Sequence, residues 1–270
     1  MKLSIITINR NNKDGLQRTI ESVVSQTFQD YEYVIIDGAS TDGSVDVIKQ
    51  YADKITYWVS EPDKGIYNAM NKGILQAKGE YCLFLNSGDV FASSFVMEKL
   101  FETNPISEIV TGNMLKNYPD KQTIDKGQLY ARMVKNEKLT LLDFLKGTIN
   151  HSPTIIKRNL FDRYGAYEES YKIVSDWIFF LKTIGLNGVS VSYVDIVISY
   201  FDMTGISNID SELLNYERKK AIEAYVPNSI LDDYQYYMNM EVKYKKIISC
   251  TCFKMIVWLY NFLFRKSIKF

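Results

Sequence analysis

The chain has 270 residues, 46% of them hydrophobic and 24% charged, a balance that excludes a disordered chain or a multi-span membrane protein and allows one large domain with an appendage. Lys plus Arg and Asp plus Glu both number 32, so there is no net field to gather a polyanion, and nucleic acid is not an expected partner. Cys82, Cys250 and Cys252 have neither metal-ligand spacing nor the pattern of a disulfide framework, which fits a reducing cytoplasm.

Residues 3–8 form an apolar run too short for a secretory signal and suited to a buried strand, ended by the polar stretch 9–13. Over 14–28, Leu16, Ile20, Val23, Val24 and Phe28 recur on one helical face. The alternation continues with a strand at 33–36, helix at 44–52, strand at 55–59, helix at 67–77 and strand at 81–85. Such alternation predicts an α/β fold with a mostly parallel central sheet flanked by helices. Ligands of these sheets bind beyond the carboxyl ends of the strands, so the loops at Asn9, Asp37, Glu61 and Asn86 are expected to line one crevice.

Beyond residue 101 the pattern is less regular: a strand at 109–111, a helix at 139–145, a strand at 154–156, a helix at 175–184 and one or two strands over 189–200. Residues 211–246 read as helix broken at Pro227 and Asn228. The apolar stretch 247–264 approaches the length of a membrane span, but Thr251, Lys254, Asn261 and Arg265 give it a polar stripe. Lys243, Lys245 and Lys246 before it, and Arg265, Lys266 and Lys269 after it, suit a helix lying on an anionic membrane surface. The alternative is a helix docked on the core or on another subunit.

The strand-end loops collect polar residues: Thr7 and Asn9, then DGASTDG at 37–43, EPDKGIYNAMN at 61–71 and NSGD at 86–89. A bound diphosphate needs a hard cation, which takes carboxylate oxygens and keeps several waters, and strands ending in acids supply such ligands.

SIITINRN at 4–11, SQTFQDYEYVIIDGASTDGS at 25–44 and SEPDKGIYNAMNKGILQAKGEYCLFLNSGD at 60–89 together resemble the family 2 glycosyltransferases over roughly the first 100 residues. The resemblance implies a GT-A nucleotide-diphospho-sugar transferase fold and an inverting, metal-dependent glycosyltransferase. The implied donor is a nucleotide-diphosphate sugar, with UDP-sugar expected. The implied acceptor is the hydroxyl of a saccharide or lipid-linked saccharide in bacterial surface-polysaccharide synthesis, and the implied cofactor is Mn2+ or Mg2+.

Carried over residue by residue, Thr7 and Asn9 match the loop that meets the nucleoside, Asp37 the acid ending the second strand, and Asp63 the acid before the next helix. Asn68 and Asn86 complete the expected nucleotide-sugar set. The metal loop departs from the family pattern, since Asn86-Ser87-Gly88-Asp89 leaves Asp89 as its only carboxylate; Asn86 and His151 are the candidate further ligands. Gly38 stands where a second acid is common, which leaves the base of the nucleotide open. Asp176 in Ser175-Asp176-Trp177 matches the catalytic base, the carboxylate that takes the proton of the attacking hydroxyl.

Plainer roles compete with these. Ser40, Asp42, Ser44 and Asp176 suit helix caps, Asp37 and Asp89 suit turns, His151 suits a loop hydrogen bond, and Trp58, Tyr67 and Trp177 suit core packing. Two other functions share the general design. A sugar-nucleotide pyrophosphorylase needs a glycine-rich loop after the first strand, where this chain has INRNNKDG. An inactive binding subunit is compatible with the thinned metal loop, against which stands the retention of both Asp89 and Asp176.

The expected organisation is a catalytic domain over 1–210, with 1–100 as donor half and 101–210 as acceptor half, and a helical tail over 211–270. The protein is expected in the cytoplasm, peripheral at the inner face of the membrane.

Overall fold

The computed structural model describes residues 1–116, 123–135, 137–203 and 210–264. Strand β1 (Leu3–Asn9) is buried because it is central, with β2 (Tyr31–Asp37) and β4 (Tyr81–Phe84) paired parallel on either side. A strand covered on both faces has little room for polar side chains. Its two mid-strand exceptions, Ser4 and Thr7, are both bonded: Ser4 Oγ donates to Glu32 Oε1 at 2.6 Å, and Thr7 Oγ1 donates to Leu85 O at 2.7 Å. β3 (Tyr57–Ser60) closes this edge, parallel to β2, and helices α1 (Lys13–Val24), α2 (Ser44–Gln50) and α3 (Ile66–Gln76) make the connections. α1 stops at Val24, short of the 14–28 expected, because the Gln26 amide bonds Ser22 O and Ser93 O while Phe28 stacks on Phe101.

The second half adds β5 (Val90–Phe91), α4 (Val96–Glu102), β6 (Ile109–Lys116), β7 (Thr123–Asp125), α5 (Tyr130–Val134), α6 (Leu141–Lys146), β8 (Thr154–Lys157), α7 (Asn159–Tyr164), α8 (Ser175–Phe180) and β9 (Val191–Phe201). The sheet order is β3-β2-β1-β4-β8-β6-β9-β5, with β7 on β6. The parallel arrangement read from the first half therefore holds for β1 to β4. β8 then runs antiparallel to both β4 and β6, and β5 antiparallel to β9, so the whole sheet is mixed. The helix expected over 175–184 is α8 followed by a π-helical turn, Leu181–Leu186.

Three helices end the chain: α9 (Ser211–Tyr225), α10 (Asn228–Ser249) and α11 (Thr251–Phe264). The chain divides into compact units Met1–Lys219 and Lys220–Phe270, so the division lies inside α9. The apolar stretch at 247–264 is split at Cys250, whose backbone is extended (φ −63°, ψ 133°). Among the described residues no helix is long and apolar enough to cross a membrane. On α11, Met255, Ile256, Trp258, Phe262 and Leu263 are exposed. Arg265, Lys266 and Lys269 lie outside the described residues.

Glu32 is the buried acid on which the α3–β4 connection rests: Oε1 accepts the Ser4 hydroxyl and the backbone N–H groups of Lys78 and Gly79. Glu32→Ala leaves the Ser4 hydroxyl and Lys78 N without an acceptor, Gly79 N keeping Ser4 Oγ, and is expected to lower stability by about 2 kcal/mol. Urea unfolding measures this, and a loss within about 0.5 kcal/mol of zero contradicts the account.

Candidate active site

The carboxyl ends of β1 and β2 meet side by side, with Asn9 opposite Asp37. Asp37 is fully buried, and its carboxylate accepts Asn9 Nδ2 (2.7 Å), Ser40 N (2.9 Å), Ser40 Oγ (2.6 Å) and Ser60 Oγ (2.6 Å). These bonds fold the 37–44 loop over the strand ends. Ala39 is left-handed there (φ 56°), and so is Asn11 (φ 51°), whose N–H reaches Ser40 Oγ and whose Oδ1 accepts Thr41 N. Two non-glycine residues in this region in adjacent loops mark strained backbone of the kind found at ligand sites. Asn9 Oδ1 is buried with no hydrogen-bond partner, an acceptor left open beside this network.

Asp63 explains the glycine at 38. A Cβ on Gly38 would sit 2.2 Å from Asp63 Oδ2, so the Asp63 carboxylate occupies the space a side chain would take. Asp63 Oδ1 accepts Gly65 N at 2.9 Å and faces Arg10 Nη1 at 3.7 Å. One acid from the third loop thus stands where an acid at 38 would have pointed. Thr7 is fully buried, its hydroxyl between Leu85 O and the Tyr33 hydroxyl (3.0 Å), so it lies beneath the strand-end crevice and ties β1 to its neighbours.

The 86–89 loop is held from α1: Thr19 Oγ1 accepts Gly88 N (3.0 Å) and donates to Asp89 O (2.7 Å). Asp89 is 4% exposed and its Oδ1 accepts Asp202 N at 2.8 Å. Burial pushes the Asp89 carboxyl up to about 7; hydrogen bonds from Asp202 N and the Ser152 hydroxyl oppose the rise, and the Asp202 charge adds to it. Gly88, with φ +107°, gives Asp202 its place, since a Cβ there would lie 2.5 Å from Asp202 Oδ2. Asn86 Oδ1 is buried without a partner in the same loop.

The Asp89 carboxyl, the Asp202 carboxyl whose charge bears on it, and the unpartnered Asn86 Oδ1 of the same loop are hard oxygen donors of the kind that Mg2+ or Mn2+ takes. Among the described residues no group of three or more His, Cys, Asp or Glu gathers in this way, so a cation here would draw its other ligands from diphosphate and water. Asp202 is a member that sequence reasoning missed, because it lies far along the chain at the end of β9.

His151 is placed differently from the ligand expected of it. Its ring stacks on Phe84 (5.2 Å), and its Nε2 pairs with the Tyr167 hydroxyl at 3.0 Å, leaving only Nδ1 for any cation. Burial lowers its pKa below the ordinary value, opposed by the charge of Asp176. The hydroxyl of its neighbour Ser152 donates to Ser199 Oγ at 2.9 Å and acts to lower the Asp89 pKa. Residues 151 and 152 therefore link the surroundings of Asp176 and Asp89.

Asp176 lies in the first turn of α8, and its Oδ1 accepts the Tyr67 hydroxyl at 2.9 Å; that hydroxyl also lies 2.6 Å from Ile173 O. Burial raises the Tyr67 phenol well above its usual range and the Asp176 charge adds to this, so Tyr67 stays a neutral donor. Asn68 and Asn71, also on α3, bond Glu169 at 2.9 and 3.0 Å, and Asn71 exchanges two bonds with the Tyr167 backbone. Asn68, expected to meet the nucleotide sugar, is thus committed to the segment before α8. Trp177 is 3% exposed, with Nε1 on Phe144 O and Gly147 O, and is core. Tyr67 is 5% exposed and packs in the core as read, and its hydroxyl in addition meets Asp176, the candidate base.

The glycosyl transferase family 2 model matches residues 4–165. An uncharacterised glycosyltransferase of Mycobacterium tuberculosis is 31% identical over 214 residues, covering 76% of this chain and 77% of its own length. The PGL/p-HBAD biosynthesis glycosyltransferase of the same species is 27% identical over 224 residues, covering 78% and 82%. Among solved structures, S. aureus TarS 1–349 in complex with UDP superposes with a TM-score of 0.61 at 22% identity over 75% of this chain, which spans 60% of that TarS chain. The mannosyltransferase PcManGT from Pyrobaculum calidifontis, in complex with GDP-Man and Mn2+, gives 0.58 at 17% identity, covering 74% and 56%. Asn9, Asp37, Asp63 and the 86–89 loop lie within the matched segment, on an α/β sheet of the GT-A type: the chain belongs to glycosyl transferase family 2 and is a glycosyltransferase.

Proposed function

We propose that this enzyme transfers a sugar from a UDP-sugar, with inversion, to a hydroxyl of a saccharide acceptor, and that Asp176 is the base. The observation that carries the reading is the Tyr67–Asp176 hydrogen bond. It occupies Oδ1 and leaves Oδ2 to take the acceptor proton. As the acceptor oxygen attacks the anomeric carbon, its proton passes to Asp176, the new glycosidic bond forms, and the bond to the β-phosphate oxygen breaks, its electron pair leaving with UDP. Asn9 and the Asp37-ordered loop receive the nucleoside, and Asp63 with Arg10 borders the sugar-diphosphate side.

Asp89, with Asp202 and Asn86 Oδ1, would hold a Mn2+ or Mg2+ ion, leaving Nδ1 of His151 as a further donor. When bound, that cation neutralises charge building on the leaving diphosphate. Solved relatives bound to UDP, to UDP-GlcNAc and to GDP-Man with Mn2+ support a nucleotide-sugar donor and a divalent cation.

The acceptor is proposed to be a lipid-linked saccharide of surface-polysaccharide synthesis, used at the cytoplasmic face of the membrane. The support is α11, whose exposed Ile256, Trp258, Phe262 and Leu263 lie C-terminal to Lys243, Lys245 and Lys246, the composition of a helix that inserts shallowly among anionic lipids.

Asp176→Asn is expected to lower kcat by about 10²- to 10⁴-fold with UDP affinity unchanged, read as UDP released from UDP-sugars with a membrane lipid extract as acceptor. Undiminished turnover removes Asp176 as base. Tyr67→Phe loses one charge-assisted bond and is expected to cost about tenfold in kcat with little change in KM; a pure KM effect contradicts a positioning role.

Asp89 gives a pH signature. In the cation-free protein its carboxyl protonates at about 7, against about 3.9 when unfolded, so the folded state holds the extra proton between these values and stability falls as pH rises from about 4 to 7. In EDTA, the melting temperature of Asp89→Asn should lose less than wild type across that window. Parallel curves contradict the assignment.

A further inference from the structure

Helix α9 brings two side chains to the segment that bears Asp176. Glu217 is 5% exposed and accepts the backbone N–H groups of Lys172 (2.7 Å) and Ile173 (2.9 Å), docking this turn of the helix just before α8. One residue on, the Arg218 guanidinium lies 5.2 Å from the centre of the Trp177 ring. Trp177 directly follows Asp176 and is pinned through Nε1, so the arginine rests on a fixed platform beside the candidate base.

Arg218 is half-buried, and its Nε is enclosed without a hydrogen-bond partner. Among the described residues no carboxylate forms an ion pair with it, and it senses Asp176 only through space. Burial holds its guanidinium below the ordinary arginine range, with the Asp176 charge opposing. A guanidinium that has lost water without gaining an anion is costly, and its planar fork matches the oxygens of phosphate.

We propose that Arg218 binds a phosphoryl oxygen of the acceptor, so that the acceptor is anionic and carries a phosphate or diphosphate near the hydroxyl that reacts. This rests on the reading of Asp176 as base. In an inverting displacement the base and the leaving diphosphate lie on opposite faces of the anomeric carbon. A cation beside the base therefore serves the incoming molecule, whereas the departing UDP is served from the Asp89 loop. The place of Arg218 over the Trp177 ring restricts its guanidinium before the ligand arrives.

The test is a calorimetric titration of the full-length protein, in EDTA, with inorganic pyrophosphate and separately with geranyl diphosphate. Wild type should bind, Arg218→Met should bind at least about tenfold more weakly, and Arg218→Lys should fall between them. Asp176→Asn should bind more tightly than wild type, because the facing negative charge is gone. Tighter binding of geranyl diphosphate than of pyrophosphate assigns the anion to a lipid-linked acceptor, equal binding to a soluble one, and both support the proposal. Circular dichroism and a UDP–Mn2+ titration of Arg218→Met control for folding and for the donor site.

Wild type binding neither probe, or Arg218→Met binding them as wild type does, overturns the proposal. So does a loss of UDP–Mn2+ affinity equal to the loss of pyrophosphate affinity, which would place the arginine on the donor. Failure of Asp176 as base would instead appear as turnover retained in Asp176→Asn, a separate measurement that leaves the titration readable.

Discussion

The grip of α3 on the segment before α8 is the constraint on which the geometry of the site depends. Tyr67, Asn68 and Asn71 stand at helical spacing on one element of the donor half, and their side chains meet Ile173, Asp176, Glu169 and Tyr167. These are contacts across about a hundred positions of chain, so they cost loop entropy to form and repay it only as a set. The Tyr67 bond to Ile173 O is buried, and such a bond is expensive to break, whereas the bonds to Glu169 lie at the surface. Side chains of the first hundred residues thereby locate the carboxylate of the second half, and a base can be held to the tolerance that proton transfer needs.

The acids of the crevice divide by what they have left to offer. Asp37 is filled by four donors and shapes its loop, whereas Asp63 takes the room beside Gly38 and answers Arg10. Asp89 is buried, and the charge of the half-buried Asp202 bears on it. Asn9 Oδ1 and Asn86 Oδ1 are acceptors with nothing to accept. Such groups are unfavourable to folding alone and are characteristic of sites completed by a ligand.

Much of this was legible in the sequence, for physical reasons. Strands of the parallel core announce themselves as unbroken apolar runs, and the strand-end loops carry their polar residues in contiguous motifs, so β1 to β4 and the positions of Asn9, Asp37, Asp63 and Asp89 followed from local pattern. The antiparallel additions were not legible, because β8 pairing with β4 is a long-range choice that short apolar runs do not encode. The same limit hid Asp202, Glu217 and Arg218, each of which reaches the site from far along the chain. Tyr67 packs in the core as read, and what its sequence did not show is the reach of its hydroxyl to Asp176; Asn68 stands where its motif placed it, with its side-chain amide on Glu169. The break at Cys250, where the backbone is extended between Ser249 and Thr251, was not anticipated, because two short polar residues and two cysteines within an apolar stretch barely change its mean hydropathy.

The central claim is that one crevice binds a nucleoside diphosphate through a divalent cation. Its most direct test is a thermal-shift series with UDP, GDP and their sugars, each with and without Mn2+, since a ligand that binds only the folded state raises stability with its concentration. The account predicts a concentration-dependent rise with UDP or UDP-sugars that requires the cation and is absent with nucleoside triphosphates. No rise with any diphosphate, or a rise indifferent to Mn2+, would contradict it.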